Sequence, residues 1–122
     1  HERTEISIMS LHKAKGLEAD LVVIASCIEG LIPSIDEKET FDEQQRKLEE
    51  DRRLFYVGIT RTKKILILSS VLYMNAGMAK RMKIKYSVSG DVAKVQSSRF
   101  LQELGPSCPT SIRGDQFFDQ KV

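Results

Sequence analysis

Glu49-Glu50-Asp51-Arg52-Arg53-Leu54-Phe55-Tyr56-Val57-Gly58-Ile59-Thr60-Arg61-Thr62-Lys63-Lys64-Ile65-Leu66-Ile67-Leu68-Ser69 passes from a charged amphipathic pattern to an unbroken apolar run. Leu48, Phe55 and Ile59, with Arg52 between, fall on one helical stripe. Upstream, Thr40-Phe41-Asp42-Glu43 has the form of a capping box, a hydroxyl followed three residues later by Glu, so a helix is predicted from Phe41 to Val57. Gly58 and the β-branched pair Ile59-Thr60 weaken it near its end. Ile65–Ser69 then reads as a strand buried on both faces, and Leu21-Val22-Val23-Ile24-Ala25 reads the same way. Ile6 and Ile8 alternate with polar residues and predict a further short strand, Glu5–Met9. Strand, loop, strand, long helix, strand is an α/β order with a mostly parallel sheet flanked by helices. Three parallel-strand candidates leave the sheet incomplete, which implies an N-terminal portion outside this chain.

Between these elements lie turns and shorter pieces. Leu11–Leu17 is a loop or a short helical turn, and Glu29-Gly30-Leu31-Ile32-Pro33-Ser34 carries turn chemistry. Asp36–Thr40 is a charged surface loop, while Glu43/Lys47 and Glu49/Arg53 are acid-before-base pairs at i,i+4. Met74–Tyr86 has no clear period. Lys83–Val88 can pair with Asp91–Val95 across Ser89-Gly90 as a hairpin. Ser97–Leu104 reads as a short capped helix ended by Gly105-Pro106. Residues 1–105 form the domain and residues 106–122 a tail or linker.

The 122 residues are 41% hydrophobic and 30% charged, a soluble globular composition. No apolar run approaches the ~20 residues that span a bilayer, and no signal-peptide pattern opens the chain. It begins at His1 rather than Met, as an excised piece would. Cys27 and Cys108 have no metal-ligand spacing, and no metal ligands are expected; a reducing, cytoplasmic setting fits both thiols. The net charge of +2 is unevenly distributed: residues 1–60 hold 8 Lys/Arg against 13 Asp/Glu, residues 61–122 hold 11 against 4. The basic half can meet a polyanion or form a solvated face.

Two blocks carry polar chemistry where elements end. In Ser10-Leu11-His12-Lys13-Ala14-Lys15-Gly16-Leu17-Glu18, a hydroxyl, an imidazole, an ammonium and a glycine follow a predicted strand. Ligands in open α/β sheets sit beyond the carboxyl ends of strands. Ser10, His12 and Lys15 can bond phosphate oxygens, Gly16 permits close approach or a positive φ, and Glu18 can accept from a sugar hydroxyl. A plain surface turn with a solvated Lys accounts for the same residues. Arg61, at the end of the long helix, is either a cation complementing the helix dipole or a guanidinium that neutralises a transferring phosphoryl group. Arg52 and Arg53 pair more readily with acidic neighbours than with a ligand, and Tyr56 reads as a core aromatic.

Taken together, the blocks resemble motifs V and VI of the superfamily 1 DNA helicases of the UvrD/PcrA/Rep family. Ser10–Glu18 is similar to motif V and Glu49–Thr62 to motif VI. Glu29-Gly30-Leu31-Ile32-Pro33 resembles that family's Glu-Gly-x-hydrophobic-Pro turn, and Ser98-Arg99-Phe100-Leu101 its Ser-Arg-Phe-Leu segment. The departures are Ser10 for Thr, Ala19 for an aromatic, Thr62 for Ala, and a longer basic stretch over Met74–Tyr86.

The resemblance implies a partial RecA-like (P-loop NTPase-type) domain, the C-terminal part of the second of two that enclose ATP. It implies that Arg61 contacts the γ-phosphate as the catalytic residue and that Glu18 contacts the nucleotide sugar. Gly16 shapes the loop, Lys15 takes a nucleotide-side or coupling role, and Ser10 and His12 lie at the single-stranded DNA track. Arg53 and Tyr56 brace the motif VI helix and the cleft. The implied cofactors are ATP and magnesium, and the partners are single-stranded and duplex DNA and the parent's remaining helicase domains, without a membrane. The implied activity is ATP-driven 3′–5′ translocation and unwinding, of the kind used in DNA repair. The sequence has no Gly-x-x-x-x-Gly-Lys-Ser/Thr loop, and its Asp36-Glu37 and Glu50-Asp51 pairs lack the context that holds magnesium. The chain alone is therefore expected neither to bind ATP tightly nor to hydrolyse it. A helicase–nuclease parent and a non-catalytic nucleic-acid-binding or docking module are the alternatives.

Overall fold

The computed structural model describes residues 5–117. A 3-10 turn at Leu11–Ala14 leads into β1 (Ala19–Ile24), and the long helix α1 (Phe41–Thr60) leads into β2 (Thr62–Leu68). β1 and β2 pair in parallel, as a strand–helix–strand unit requires. The rest of the chain forms β3 (Tyr73–Asn75), α2 (Ala76–Arg81), β4 (Ser87–Ser89), β5 (Val92–Lys94), α3 (Arg99–Glu103) and α4 (Gly114–Phe117). A second, antiparallel sheet has the order β3-β5-β4.

The capping box at the start of α1 is complete. Thr40 Oγ1 accepts from the Glu43 amide at 3.2 Å, and Glu43 Oε2 accepts from the Thr40 amide at 3.1 Å. That bond commits the Glu43 carboxylate, so the predicted Glu43/Lys47 pair does not form. Lys47 instead bonds Asp51 at 2.8 Å, and no Glu49–Arg53 bridge occurs among the described residues. The helix runs past the predicted Val57 to Thr60 because Gly58 is buried against Leu11 and Ile24, and packing there outweighs propensity.

Two cores result. Ile24, Cys27, Phe55 and Phe100 pack beneath α1 with Leu48, Ile59, Leu66 and Leu68. The Phe55 and Phe100 rings lie 5.5 Å apart at 39°, and the Arg52 guanidinium sits 5.6 Å above Phe100. Ile28, Ala79, Ile84, Ala93 and Val95 form the other core, between α2 and the antiparallel sheet.

Several expectations change. Glu5–Met9 is not a strand: it has no pairing partner and its residues are exposed. Among the described residues the parallel sheet therefore has two strands rather than three. Neither strand is buried on both faces, since Leu21, Val23 and Ile65 are each more than half exposed while Val22, Ile24, Leu66 and Leu68 face the core. An unbroken apolar run specifies two apolar faces but not what covers them. The expected hairpin is real but shorter, and β3 adds a strand to it. Tyr56 is 64% exposed rather than core, because one step around the helix from Phe55 turns it away from the stripe.

Candidate functional site

The parallel register brings the two polar blocks together. Ala19 pairs with Thr62 at the amino ends of β1 and β2, and the Ala19 amide donates to the Arg61 carbonyl at 3.0 Å. Glu18 and Arg61, the residues just before each strand, thus flank one edge of the sheet. This is the amino end of β1, not the carboxyl end of a preceding strand, because the strand expected at Glu5–Met9 is absent. The register shifts between Ala19 and Leu21; such bulges re-aim side chains. Lys64 Nζ lies 3.7 Å from Asp20 across the same edge.

Arg61 is the C-cap of α1, with φ −76° and ψ −7°. Its Nη2 donates to Thr60 Oγ1 at 3.3 Å, and that hydroxyl donates to the Val57 carbonyl at 2.9 Å. Arg61 Nε and Thr62 Oγ1 are buried without a hydrogen-bond partner among the described residues. An unpaired buried donor costs about 1–3 kcal/mol. A helix-dipole cation gains nothing from that arrangement, whereas a residue that takes an anionic oxygen does. Glu18 is exposed and free of ion pairs among the described residues. The structure thus leaves one guanidinium N–H of Arg61 without an acceptor, and the Glu18 carboxylate before the neighbouring strand without an ion pair, among the described residues.

The loop that precedes Glu18 is held at its other end. Ser10 is the N-cap of the 3-10 turn; its hydroxyl makes no capping bond, and its carbonyl accepts from the Lys13 amide at 3.1 Å. Leu11 packs on Gly58, where a Cβ would stand 2.8 Å from Leu11 Cδ2. His12 lines a hollow of about 190 Å³ with Leu31, Ser34, Asp51 and Leu54. Lys15 and Gly16 are exposed, and Gly16 has φ +84° with open space around it, so a left-handed turn rather than a close approach accounts for the glycine. Glu18 and Arg61 are therefore together, while Ser10 and His12 lie at the far end of the same loop.

The two flanking segments also meet. Glu29 accepts from Arg99 Nε and from Nη2, the latter at 3.0 Å, and from the Arg99 amide. The hydrogen bond to Glu29 raises the Arg99 pKa further above its ordinary value. Arg52 finds its acid on α3, with Nη2 2.8 Å from Glu103 Oε1; Arg53 is exposed. Sequence reasoning missed three residues here. Gly58 was legible as a helix-weakening glycine but not as a contact point. Asp51, 8% exposed, accepts from the Ser34 amide at 2.9 Å as well as from Lys47. Thr62 was marked by its departure from the motif, without a role.

Residues 1–73 match the family profile of the UvrD-like helicase C-terminal domain. The chain is 38% identical over 99 residues to the probable DNA helicase II homolog of Rickettsia conorii, covering 81% of this chain and 13% of that relative. It is 40% identical over 108 residues to DNA helicase II of Haemophilus influenzae, covering 88% and 13%. It is 34% identical over 103 residues to ATP-dependent DNA helicase Rep of Buchnera aphidicola subsp. Acyrthosiphon pisum, covering 84% and 13%. The chain thus spans 13% of the length of these curated relatives. No helix among the described residues is long and apolar enough to cross a membrane.

Proposed function

The chain belongs to the UvrD-like helicase C-terminal domain family, and from that premise we propose that it is the C-terminal part of the second RecA-like domain of an ATP-dependent 3′–5′ DNA helicase. The observation that carries this reading is the Ala19-to-Arg61 hydrogen bond at 3.0 Å, which brings Glu18 and Arg61 to one edge. In the parent protein Arg61 binds the γ-phosphate and neutralises charge that develops in phosphoryl transfer. The buried Nε, with no acceptor among the described residues, supports that role. Glu18 accepts from the nucleotide sugar. Bound ATP supplies the phosphoanhydride whose cleavage drives the cycle; magnesium and the remaining phosphate contacts fall to the first RecA-like domain.

Ser10 and His12 face single-stranded DNA from the other end of the loop, with Lys15 between the two ligands. Leu11 on Gly58 ties that loop to the helix that ends in Arg61. A displacement of Arg61 on cleft closure therefore reaches the DNA side through packed atoms. The test is Arg61→Ala in the full-length protein. DNA-stimulated ATPase should fall by about 10³-fold or more, the scale of a lost arginine finger, with DNA affinity within a few-fold of the unsubstituted protein. Turnover at the unsubstituted rate would sink the assignment.

A further inference from the structure

The match to the family profile stops at residue 73, where β3 begins. From there to Val95 the chain builds a small sheet over a core that Ile28 completes. This segment carries five cations, Lys80, Arg81, Lys83, Lys85 and Lys94, and a single acid, Asp91. Lys85 is paired with Glu37; the other four cations make no ion pair among the described residues.

The sheet has two unlike faces. Met74, Ala93 and Val88 are register partners; Ala93 is wholly buried and Met74 half-buried against the core beneath, while Val88 at the edge is exposed. On the opposite face the partners are Tyr73, Lys94 and Ser87 in one row and Asn75, Val92 and Ser89 in the next, all exposed. Tyr73 is 59% exposed and so contributes little to packing. Residues directly opposite on paired strands have Cβ atoms about 5 Å apart, and rows on one face are spaced by about 7 Å. An exposed aromatic beside a free ammonium, with hydroxyls on the next strand, combines a stacking surface with phosphate donors.

We propose that the outer face of β3-β5-β4 is an accessory surface for single-stranded DNA, with Tyr73 stacking on a base and Lys94 meeting the adjoining phosphate. Ser87 and Ser89 donate to the backbone further along. The excess of cations over acids in this segment complements a polyanion and disfavours an acidic partner's alternative, a neutral protein surface. The choice of DNA rests on the helicase reading; the surface itself rests on the sheet.

The test is anisotropy of a fluorescein-labelled oligothymidylate of about twenty nucleotides, long enough for a sheet-sized site, titrated with this chain across a salt series. Tyr73→Ala should weaken binding about ten-fold, the scale of one lost base–aromatic stack, while Tyr73→Phe stays within about two-fold because the ring is kept. Lys94→Gln should lower the slope of log affinity against log salt by about 0.7, one phosphate contact on a single strand. Circular dichroism confirms that each variant is folded. Unchanged affinity in both Tyr73→Ala and Lys94→Gln, or no binding by the unsubstituted chain at low salt, overturns the proposal. Either result leaves the ATPase test of Arg61 untouched, and loss of the Arg61 assignment leaves this surface standing.

Discussion

Replacing Gly58 with alanine sets two effects against each other. In a helix interior alanine is favoured over glycine by about 0.8–1 kcal/mol. At this site the new methyl would stand 2.8 Å from Leu11 Cδ2 and 3.2 Å from Ile24 Cδ1. Leu11 is half-buried and its contact is the far end of a flexible side chain, so it can swing aside, giving up part of the ~1.5–3 kcal/mol that a fully buried leucine contributes. Ile24 is 5% exposed and has to yield within a packed core, where overpacking costs about 1–3 kcal/mol. The clash outweighs the helix gain, and Gly58→Ala should destabilise the chain by about 1–2 kcal/mol. In a Leu11→Ala background the closest contact is gone while the Ile24 contact and the helix gain remain, so the same substitution should cost about 1 kcal/mol less. Urea denaturation of the four proteins of this cycle measures the coupling, provided the m-values agree. A coupling of about 1 kcal/mol or more, favouring the double variant, is expected. Effects that add within about 0.5 kcal/mol would refute a direct contact between the loop and the helix.

Asp51→Ala removes the acceptor of the Ser34 amide and of Lys47, and should cost about 1–3 kcal/mol in the same urea assay; a neutral result would mean that Ser34 is satisfied without it. Burial pushes the Cys27 thiol up from 9.0 to about 11, against a smaller opposing effect of its hydrogen bond with the Ser69 backbone. The folded state therefore holds this proton more tightly than the unfolded state. Its contribution is complete below pH 9 and is lost as pH rises toward about 11, a change of about 2–3 kcal/mol. Cys27→Ala should lack that component, which two identical stability–pH curves would contradict. Thiol reagents at neutral pH should meanwhile label exposed Cys108 well before Cys27.

Local signals in the sequence were strong where one residue type at one spacing has one use. Thr40 and Glu43 located the start of α1, and the predicted helix Ser97–Leu104 held α3 within two residues of its start, because capping depends on neighbours in the chain. The apolar runs located β1 and β2, and the order of elements made them parallel. What stayed hidden depends on partners distant in sequence. The end of α1 is set by Leu11 and Ile24 packing on Gly58, and the acid that Arg52 takes is Glu103 on α3. β3 and α2 are too short for any period to emerge. Among the site residues, Glu18 and Arg61 were each ambiguous alone. Their juxtaposition follows from strand register, which no local pattern reports.

The ladder of β1 does not stop at its last residue. The Ser69 amide donates to the Ile24 carbonyl, the Cys27 amide to Ser69, and the Ser98 amide to Cys27, each within 2.9 Å. The Val95 amide reaches Leu72 at 2.9 Å, which joins β5 to the segment leading out of β2. From Arg61 at one end to Lys94 near the other, the backbone acts as a beam fastened crosswise at short intervals. The two sheets are thereby joined through the main chain at Ser69, Cys27, Ser98 and Val95, and not by side-chain packing alone.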